Sequence, residues 1–185
     1  MIQTALVVID VQNDYFSDGK MPLHEPETAL HHIQQLLEKF RSQQQLIIHI
    51  QHVMRERPNK PAAFFIEGTT GVEIHAGIAP QANELILQKH FPSSFAGTGL
   101  HEFLQQQGIQ QLVICGMMTQ MCVDTTTRAA FDLGYQVQVA IDATSCPTLR
   151  FGTVEIPAET VKATVAAALH GTFAQIVETN VLLSQ

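Results

Sequence analysis

Short apolar segments alternate along this chain with longer segments whose apolar residues recur at helical spacing. The segment Thr4–Ile9 is almost entirely apolar, which is typical of a strand buried on both faces of a sheet. The segment Pro26–Gln44 carries apolar side chains every three or four residues, which predicts an amphipathic helix. A buried strand followed by such a helix is the pattern of a βαβ unit, so the predicted fold class is α/β.

The same alternation continues to the carboxyl terminus. The other predicted strands are Leu46–His52, Glu84–Gln88, Gln111–Cys115, Gln136–Ile141 and Ala174–Glu178. The other predicted helices are Leu100–Gln107, Met121–Leu133 and Ala158–His170. Right-handed crossovers would arrange these elements as a doubly wound, mainly parallel six-stranded sheet with helices on both faces, a Rossmann-like three-layer sandwich. A chain of 185 residues fits a single domain of this kind, spanning 1–185.

One long segment, Val53–Pro80, interrupts the alternation because it shows no sustained hydrophobic period. It is longer than an ordinary connection between a strand and the next element. The adjacent Phe64 and Phe65 indicate that it packs against the rest of the protein rather than acting as a mobile linker. We predict that this segment is functional, either as a lid or as an oligomer contact.

Composition and charge narrow the possible partners. Hydrophobic residues make up 45% of the chain and charged residues 15%, which is typical of a globular protein. The formal net charge of −7 is the opposite of what binding to a phosphate backbone requires, so no nucleic acid partner is expected. The apolar runs are shorter than the roughly 20 residues that span a bilayer, and no signal peptide is visible. We therefore expect no membrane association and a cytoplasmic location.

Reactive side chains follow three of the predicted strands. Asp10 comes directly after the first strand and Lys89 follows the third. Cys122 follows the fourth strand after six intervening residues, where the next helix begins. Ligand sites of open parallel sheets lie beyond the carboxyl ends of the strands, so these side chains should face one crevice.

Together these groups indicate nucleophilic catalysis. A helix amino terminus and a nearby ammonium group favour the thiolate of Cys122, and Asp10 can accept the thiol proton. The turn that follows Gly116 offers backbone N–H groups for an oxyanion hole. Each residue also has an ordinary structural interpretation, as a capping Asp, a solvated Lys or a core Cys, but their joint occurrence at three strand ends favours chemistry.

Three sequence motifs carry a family resemblance. They are Asp10-Val-Gln-Asn-Asp-Tyr-Phe16, Lys89-His-Phe-Pro-Ser-Ser-Phe95 and Gly116-Met-Met-Thr-Gln-Met-Cys122. In this order and spacing they closely resemble the signatures of the isochorismatase-like cysteine hydrolases, which include nicotinamidases, N-carbamoylsarcosine amidase and ureide-type amidohydrolases. The resemblance extends from about Thr4 to Leu183.

The resemblance implies a role for each residue. Asp10 would be the general base and later the acid, Lys89 its electrostatic partner, and Cys122 the nucleophile that forms an acyl enzyme. It also implies a cis peptide bond between Met117 and Met118, and an oxyanion hole built from the backbone N–H groups of Met118 and Cys122. A homo-oligomer is expected, and no cofactor is implied.

The substrate pocket is expected to have aromatic walls. We predict that aromatic side chains line this pocket together with Met118. The aromatic residues are Tyr15, Phe16, Phe64, Phe65 and Phe95. Such a lining suggests a small, partly apolar acyl group.

A metal site is the main competing hypothesis for the histidines His49, His52 and His75. The nicotinamidases bind a divalent ion through an Asp-x-His pair after the second strand. Gln51 and Val53 stand at those two positions here, so we predict that no metal is bound. His49 and His52 would also point to opposite faces of an extended strand.

Two other cysteines are weaker candidates for the nucleophile. Cys115 lies inside an apolar strand, which indicates core packing, and Cys146 precedes Pro147 in a loop without a neighbouring base.

Three functions remain open at this point. The first is hydrolysis of a small amide, ureide or carbamoyl compound through Cys122. The second is hydrolysis of a vinyl ether of the isochorismate type, whose family members generally lack the nucleophilic Cys. The third is a non-catalytic binding module or a redox thiol protein, although the chain has no CxxC pair and no obvious resolving Cys beside Cys122.

Overall fold

A parallel sheet forms the centre of the protein, which a computed structural model describes for residues 2–56 and 61–185. The strands are β1 (Thr4–Ile9), β2 (Leu46–His52), β3 (Leu85–Lys89), β4 (Gln111–Met117), β5 (Gln136–Ser145), β6 (Leu149–Phe151), β7 (Val154–Ile156) and β8 (Gln175–Val177). Six of them form one sheet in the order β3-β2-β1-β4-β5-β8, and every neighbouring pair is parallel. The predicted α/β fold class is therefore confirmed.

Helices cover both faces of this sheet. They are α1 (Pro26–Ser42), α2 (Leu100–Gln106), α3 (Asp124–Asp132), α4 (Ala158–Leu169) and α5 (Thr179–Leu183). Helices α1 and α5 pack together on one face, while α2, α3 and α4 lie on the other. Among the helices of the described ranges, none combines the length and the apolar character that a bilayer crossing requires.

Strand β1 shows why the sheet is buried on both sides. Its alternate residues Leu6 and Val8 enter the core beneath α1, whereas Ala5 and Val7 enter the core beneath α2 and α3. All four side chains are almost completely buried. Because successive side chains of a strand point to opposite faces, a continuously apolar sequence is required here.

The structure corrects the predicted bounds of β5. This strand continues past Ile141 to Ser145, because after an irregularity in the pairing Thr144 and Ser145 align with Gly116 and Met117 of β4. The predicted helix from Met121 also differs, since residues Thr119–Val123 form a π-helical turn before α3 begins.

A β-hairpin and a short helix were not predicted from the sequence. The first is an antiparallel hairpin of β6 and β7, whose turn has Gly152 at a positive φ of 60°. The second is α5, a five-residue helix that is too short to show a helical period. The carboxylate of Asp142 accepts hydrogen bonds from the Thr179 N–H at 2.9 and 3.0 Å and so holds the start of this helix.

The long segment Val53–Pro80 packs across the carboxyl ends of the strands. The N–H of Met54 donates to the Phe65 carbonyl at 3.0 Å, and the N–H of His75 donates to the Val11 carbonyl at 2.9 Å. Residues 57–60, which are part of this predicted functional loop, lie outside the described residues.

Candidate active site

The three strand-end residues singled out from the sequence meet at one edge of the sheet. Asp10 follows the last residue of β1, Lys89 is the last residue of β3, and Cys122 lies in the π-helical turn after β4. Lys89 Nζ lies 2.8 Å from Asp10 Oδ2 and donates to Cys122 Sγ at 3.1 Å. All three residues are at most 3% exposed, so a lysine, a carboxylate and a thiol form one buried cluster.

The backbone around this cluster is unusual at two positions. Asp10 has a positive φ of 52°, which is uncommon for a residue other than glycine, and its N–H donates to the Ile50 carbonyl of β2 at 3.0 Å. Gly116 has a φ of 115°, and a Cβ at this position would collide with the backbone of Ile9. Glycine is therefore required where β4 passes β1 and leads into the turn that carries the cysteine.

Burial and charge set the protonation of the cluster. Burial by itself lowers the pKa of Lys89, but the nearby Asp10 and Cys122 outweigh it, so the pKa of Lys89 is raised and the ammonium form persists. Burial and the neighbouring Asp10 raise the pKa of the Cys122 thiol, and Lys89 only partly opposes them. These effects favour the neutral thiol of Cys122, whereas the sequence suggested a stabilised thiolate.

Asp10 is suited to remove the proton of this thiol. Its contact with Lys89 is an ion pair rather than a well-directed hydrogen bond, since both carboxylate oxygens are buried without an aligned donor among the described residues. Oxygen lone pairs therefore remain available beside Cys122, whose Sγ lies within 4.8 Å of the nearest Asp10 oxygen.

His52 is part of the cluster, a position that sequence reasoning missed. Its Nδ1 lies 2.9 Å from Lys89 Nζ, 3.6 Å from Asp10 Oδ2 and 3.9 Å from Cys122 Sγ. The strand order explains this placement, because β2 lies between β1 and β3 and ends at His52. The sequence signal was a histidine at the end of the second strand, but its use required knowledge of that order.

Asp10, His52 and Cys122 could in principle ligate one metal ion, since one atom of each lies within 4.8 Å of the others. However, the Lys89 ammonium lies 2.8 to 3.1 Å from all three of these atoms. A cation of the chain itself thus occupies the space between them.

The three histidines of the metal hypothesis have separate partners. His49 Nε2 lies 2.8 Å from Glu84 Oε2, while His75 Nδ1 accepts from the Gly77 N–H at 3.1 Å and its ring stacks on Phe16. With His52 beside Lys89, the three imidazoles point to different sites and do not converge on one ion.

A cavity of about 290 Å³ opens beside Cys122. Its walls are mostly apolar, and its lining residues are Tyr15, His52, Met54, Arg55, Pro61, Ala63, Phe64, His90, Pro92, Met118, Met121 and Cys122. Burial and the nearby Asp10 raise the pKa of Tyr15 well above its usual value, so its hydroxyl stays protonated. The cavity thus combines an apolar surface with a few polar groups next to the thiol.

The five aromatic residues predicted to bind substrate occupy different places. Tyr15 and Phe64 line the cavity. Phe65 is fully buried behind them, with its ring centroid 4.6 Å from that of Tyr15. Phe16 packs on His75, and Phe95 stacks on Tyr135 in the core beneath α2 and α3. In the described part of the chain, Phe16, Phe65 and Phe95 therefore support the fold around the cavity without lining it.

Asp14 holds this aromatic wall in place, a role that sequence reasoning also missed. Its Oδ2 accepts from the Phe65 N–H at 2.6 Å, and its Oδ1 accepts from the Lys20 N–H at 3.1 Å. A Cβ at Gly71 would collide with the same carboxylate. A second buried acid four residues after Asp10 was the available signal.

The turn carrying Cys122 brings Met118 to the same site. The Met117–Met118 peptide bond is cis, and the Met118 carbonyl accepts from the N–H groups of Met121 and Val123 at 3.1 and 3.2 Å. The side chain of Met118 lines the cavity. Met118 directly precedes this turn, and Cys122 lies within it.

The other two cysteines lie in different surroundings. Cys115 is fully buried in β4, and burial raises the pKa of its thiol. Cys146 donates to the Ala158 carbonyl at 3.2 Å, and burial raises the pKa of its thiol as well. All three cysteines are free of disulfide bonds.

Comparison with known proteins identifies relatives along almost the whole chain. Residues 4–172 match the family model described as the isochorismatase domain. The isochorismatase family protein YddQ of Bacillus subtilis is 43% identical over 180 residues, which cover 97% of this chain and 98% of that protein. The ureidoacrylate amidohydrolase RutB of Caulobacter vibrioides is 29% identical over 171 residues, covering 76% of each chain.

Solved structures agree with this relationship. The crystal structure of an isochorismatase-type hydrolase from Oleispira antarctica superimposes with a TM-score of 0.93 at 39% sequence identity. The match covers 99% of this chain and 97% of that one.

Proposed function

The chain belongs to the isochorismatase family of hydrolases, and on that premise we propose that it cleaves the C–N bond of a small amide, ureide or carbamoyl compound through an acyl enzyme on Cys122. One observation carries this proposal. The Lys89 ammonium contacts both the Asp10 carboxylate and the Cys122 thiol, at 2.8 and 3.1 Å. A base, a cation and a nucleophile in mutual contact are the groups that acyl transfer requires.

The first half of the reaction acylates the enzyme. Asp10 accepts the proton of the Cys122 thiol as the sulfur attacks the carbonyl carbon of the substrate, and the carbonyl oxygen becomes an oxyanion. When this tetrahedral intermediate collapses, the C–N bond breaks and the proton on Asp10 passes to the leaving nitrogen. An amine or ammonia departs, and a thioester to Cys122 remains.

The second half returns the enzyme to its resting state. Asp10, again a carboxylate, accepts a proton from water as the water oxygen attacks the thioester carbon. The C–S bond then breaks, and the proton on Asp10 returns to the sulfur of Cys122. The sum of both halves consumes one amide bond and one water and yields an acid and an amine.

Lys89 and the turn after β4 stabilise the charges that develop. The negative charge moves from Asp10 to the sulfur during proton transfer, and Lys89 is close to both groups, so it stabilises the charge at either place. In a buried site such interactions are stronger than in water. The N–H groups of Met118 and Cys122 are proposed to bind the oxyanion.

The cavity favours a small acyl group. Its volume of about 290 Å³ lies at the lower end of the range for ligand pockets, and most of its walls are apolar. Tyr15 and Arg55 add polar contacts that can bind a urea or carboxylate group. The similarity to a ureidoacrylate amidohydrolase supports a ureide or amide among the candidate classes.

A substrate panel with a matched variant tests the proposal. We expect the purified protein to release ammonia or amine from at least one small amide, ureide or carbamoyl compound, and we expect Cys122→Ala to release none. Mass spectrometry of rapidly quenched reactions should show the mass of the acyl group on the peptide that contains Cys122. Turnover of a C–N substrate that survives Cys122→Ala, or turnover of isochorismate alone, would contradict the proposal.

A further inference from the structure

The Lys89 ammonium has more acceptors within reach than it has hydrogens. Its three N–H groups lie within hydrogen-bond distance of His52 Nδ1 at 2.9 Å, Cys122 Sγ at 3.1 Å and the Phe91 carbonyl at 3.1 Å, and Asp10 Oδ2 forms an ion pair with the same nitrogen at 2.8 Å. Two of these acceptors, Asp10 and Cys122, exchange a negative charge in the proposed reaction. The other two, the imidazole and the carbonyl, remain neutral throughout it.

The contact with Lys89 fixes the tautomer of His52. An ammonium nitrogen has no lone pair and can only donate, so Nδ1 must accept and cannot carry a proton. The proton of the neutral imidazole is therefore on Nε2. Nε2 is buried and has no hydrogen-bond partner in the described ranges. The closest hydrogen-bonding group to the ring is the Lys89 ammonium, which contacts Nδ1.

The main chain holds His52 firmly in this position. His52 and Lys89 are register partners on the adjacent strands β2 and β3, so their side chains lie next to each other. The buried side chain of Gln12 forms hydrogen bonds with both the N–H and the carbonyl of His52. Its Nε2 donates to the His52 carbonyl at 2.9 Å, and its Oε1 accepts from the His52 N–H at 2.7 Å.

We propose that His52 is a positioning residue, a neutral acceptor that keeps the Lys89 ammonium between Asp10 and Cys122 while the negative charge passes from one to the other. This role rests on the proposed function. Without the imidazole, the ammonium would be drawn to the carboxylate with which it forms a resting ion pair, and the thiolate would lose its counter-charge. His52 and the Phe91 carbonyl together prevent that shift.

Two variants of equal size separate the hydrogen bond from the packing. His52→Asn retains an acceptor oxygen close to the position of Nδ1. Leucine has the same number of side-chain heavy atoms as asparagine, so His52→Leu removes the acceptor without a further change in size. The readout is the rate constant for alkylation of Cys122 by iodoacetamide, measured by peptide mapping. We expect alkylation to be about ten- to a hundredfold slower in His52→Leu, which is the effect of losing one hydrogen bond to a charged group. His52→Asn should stay close to the wild-type rate.

Several results would overturn the proposal. One is a wild-type alkylation rate in a folded His52→Leu protein, and another is an equal loss in both variants. If His52→Leu does not fold, the wild-type protein decides the question by nitrogen NMR of labelled histidine, with His52 assigned by its absence from the His52→Asn spectrum. The proposal requires a neutral ring with the proton on Nε2, and a proton on Nδ1 would refute it.

Neither experiment needs a substrate, so the failure of the two proposals can be distinguished. A protein that shows the expected alkylation pattern but hydrolyses no C–N bond would refute the proposed function and leave the role of His52 toward Lys89 intact. Once a substrate is known, His52→Leu should lower kcat more than it changes KM.

Discussion

The thiol of Cys122 differs from the other two thiols in what surrounds it. It lines the cavity and lies 3.1 Å from an ammonium group. Cys115 and Cys146 are buried, and among the described residues neither thiol has an ammonium group within hydrogen-bond distance, although Lys162 acts to lower the pKa of Cys146 from further away. Only a thiolate reacts readily with an alkylating agent, and at Cys122 the adjacent Asp10 can accept the thiol proton while the ammonium stabilises the thiolate that forms. We therefore expect iodoacetamide to modify Cys122 first at neutral pH, as measured by peptide mapping. Faster labelling of Cys115 or Cys146 would contradict the assignment of the nucleophile.

The ion pair between Asp10 and Lys89 leads to two predictions. In the double variant, turnover should stay low, whereas the free energy of unfolding should partly recover. We expect Asp10→Asn and Lys89→Met each to lower turnover by ~10²–10⁴-fold, because each removes a group needed for proton transfer or charge stabilisation. The double variant should be little worse, since the groups act as a unit. Each single variant should also lose about 3–5 kcal/mol of stability, because it leaves a buried group unpaired.

Thermal or urea unfolding of the same variants checks the second half of this prediction. The double variant Asp10→Asn/Lys89→Met should recover part of the stability that each single variant loses, since no buried charge is left without its partner. Additive losses of stability, or near-normal turnover in a folded single variant, would count against the ion pair as described.

The Lys89 ammonium also bears on metal dependence. It lies among the three side chains that could otherwise ligate an ion, Asp10, His52 and Cys122. A thiol nucleophile needs no metal-activated water to open the acyl bond. We expect turnover to survive treatment with EDTA or phenanthroline, and elemental analysis to show well below one equivalent of zinc, iron or manganese. A stoichiometric metal whose removal abolishes turnover would contradict this prediction.

The proposed catalytic residues could be identified from the sequence, whereas the residues that support them could not. Asp10, Lys89 and Cys122 follow apolar strands, and the carboxyl ends of parallel strands share one edge. His52 could not be placed without the spatial order of β1, β2 and β3. The depth of Phe65 behind Tyr15 depends on a hydrogen bond from its backbone to Asp14, which no hydrophobic pattern reveals.

At the scale of elements, an ion-pair cluster joins the start of β3 to the end of α1. Arg41 donates to both carboxylate oxygens of Glu84, at 2.6 and 2.9 Å, and His49 lies 2.8 Å from the same group. Burial acts to raise the pKa of Glu84, but hydrogen bonds from Arg41, the Gln81 N–H and His49 outweigh it and lower the pKa from 4.5 to about 2.

This cluster predicts how stability depends on pH. Because the pKa of Glu84 is lower in the folded than in the unfolded protein, its carboxylate increases the free energy of unfolding at pH values above the unfolded-state pKa of 4.5. This contribution is lost as the pH falls from about 4.5 through about 2. We expect Glu84→Gln to lose up to ~3 kcal/mol of stability at pH 7 and to approach the wild type near pH 2. Urea unfolding across this pH range measures the difference.

An exposed ion pair supplies the control for this experiment. Glu155 pairs with Arg150 at 3.0 Å on the hairpin, where both side chains are more than half exposed. Glu155→Gln should change stability by less than about 1 kcal/mol at any pH. If the free energies of unfolding of Glu84→Gln and the wild type differ by the same amount at every pH, the carboxylate of Glu84 does not cause the predicted pH dependence.

Elements with a strong hydrophobic period were predicted well, and elements defined by tertiary contacts were not. The bounds of β1 and β2 agree with the sequence pattern, and α1 begins at Pro26 as expected. The extension of β5 to Ser145 depends on its realigned pairing with β4, and α5 depends on the carboxylate of Asp142. Neither cause is visible in a local sequence window.

At the scale of the whole molecule, we predict a homo-oligomer. The family resemblance suggests it, and the surface retains large apolar side chains, with Phe151 82% exposed and Val154 59% exposed on the hairpin. Such residues are normally found singly on the surface of monomers. Light scattering after gel filtration should give a multiple of the 20.4 kDa chain mass, and a mass of one chain at micromolar concentration would contradict the prediction.

The cluster at the sheet edge and the aromatic wall of the cavity belong to different parts of the chain, which bears on how the substrate range of such a protein can change. The proposed reacting groups lie at or shortly after the ends of buried strands, whereas Met54, Ala63 and Phe64 belong to a connecting segment held by the Asp14 carboxylate. If the proposed function holds, substitutions in that segment should change which acyl group is accepted and leave Asp10, Lys89 and Cys122 in place. Directed evolution toward new substrates should therefore begin at these wall positions and leave Asp14 unchanged.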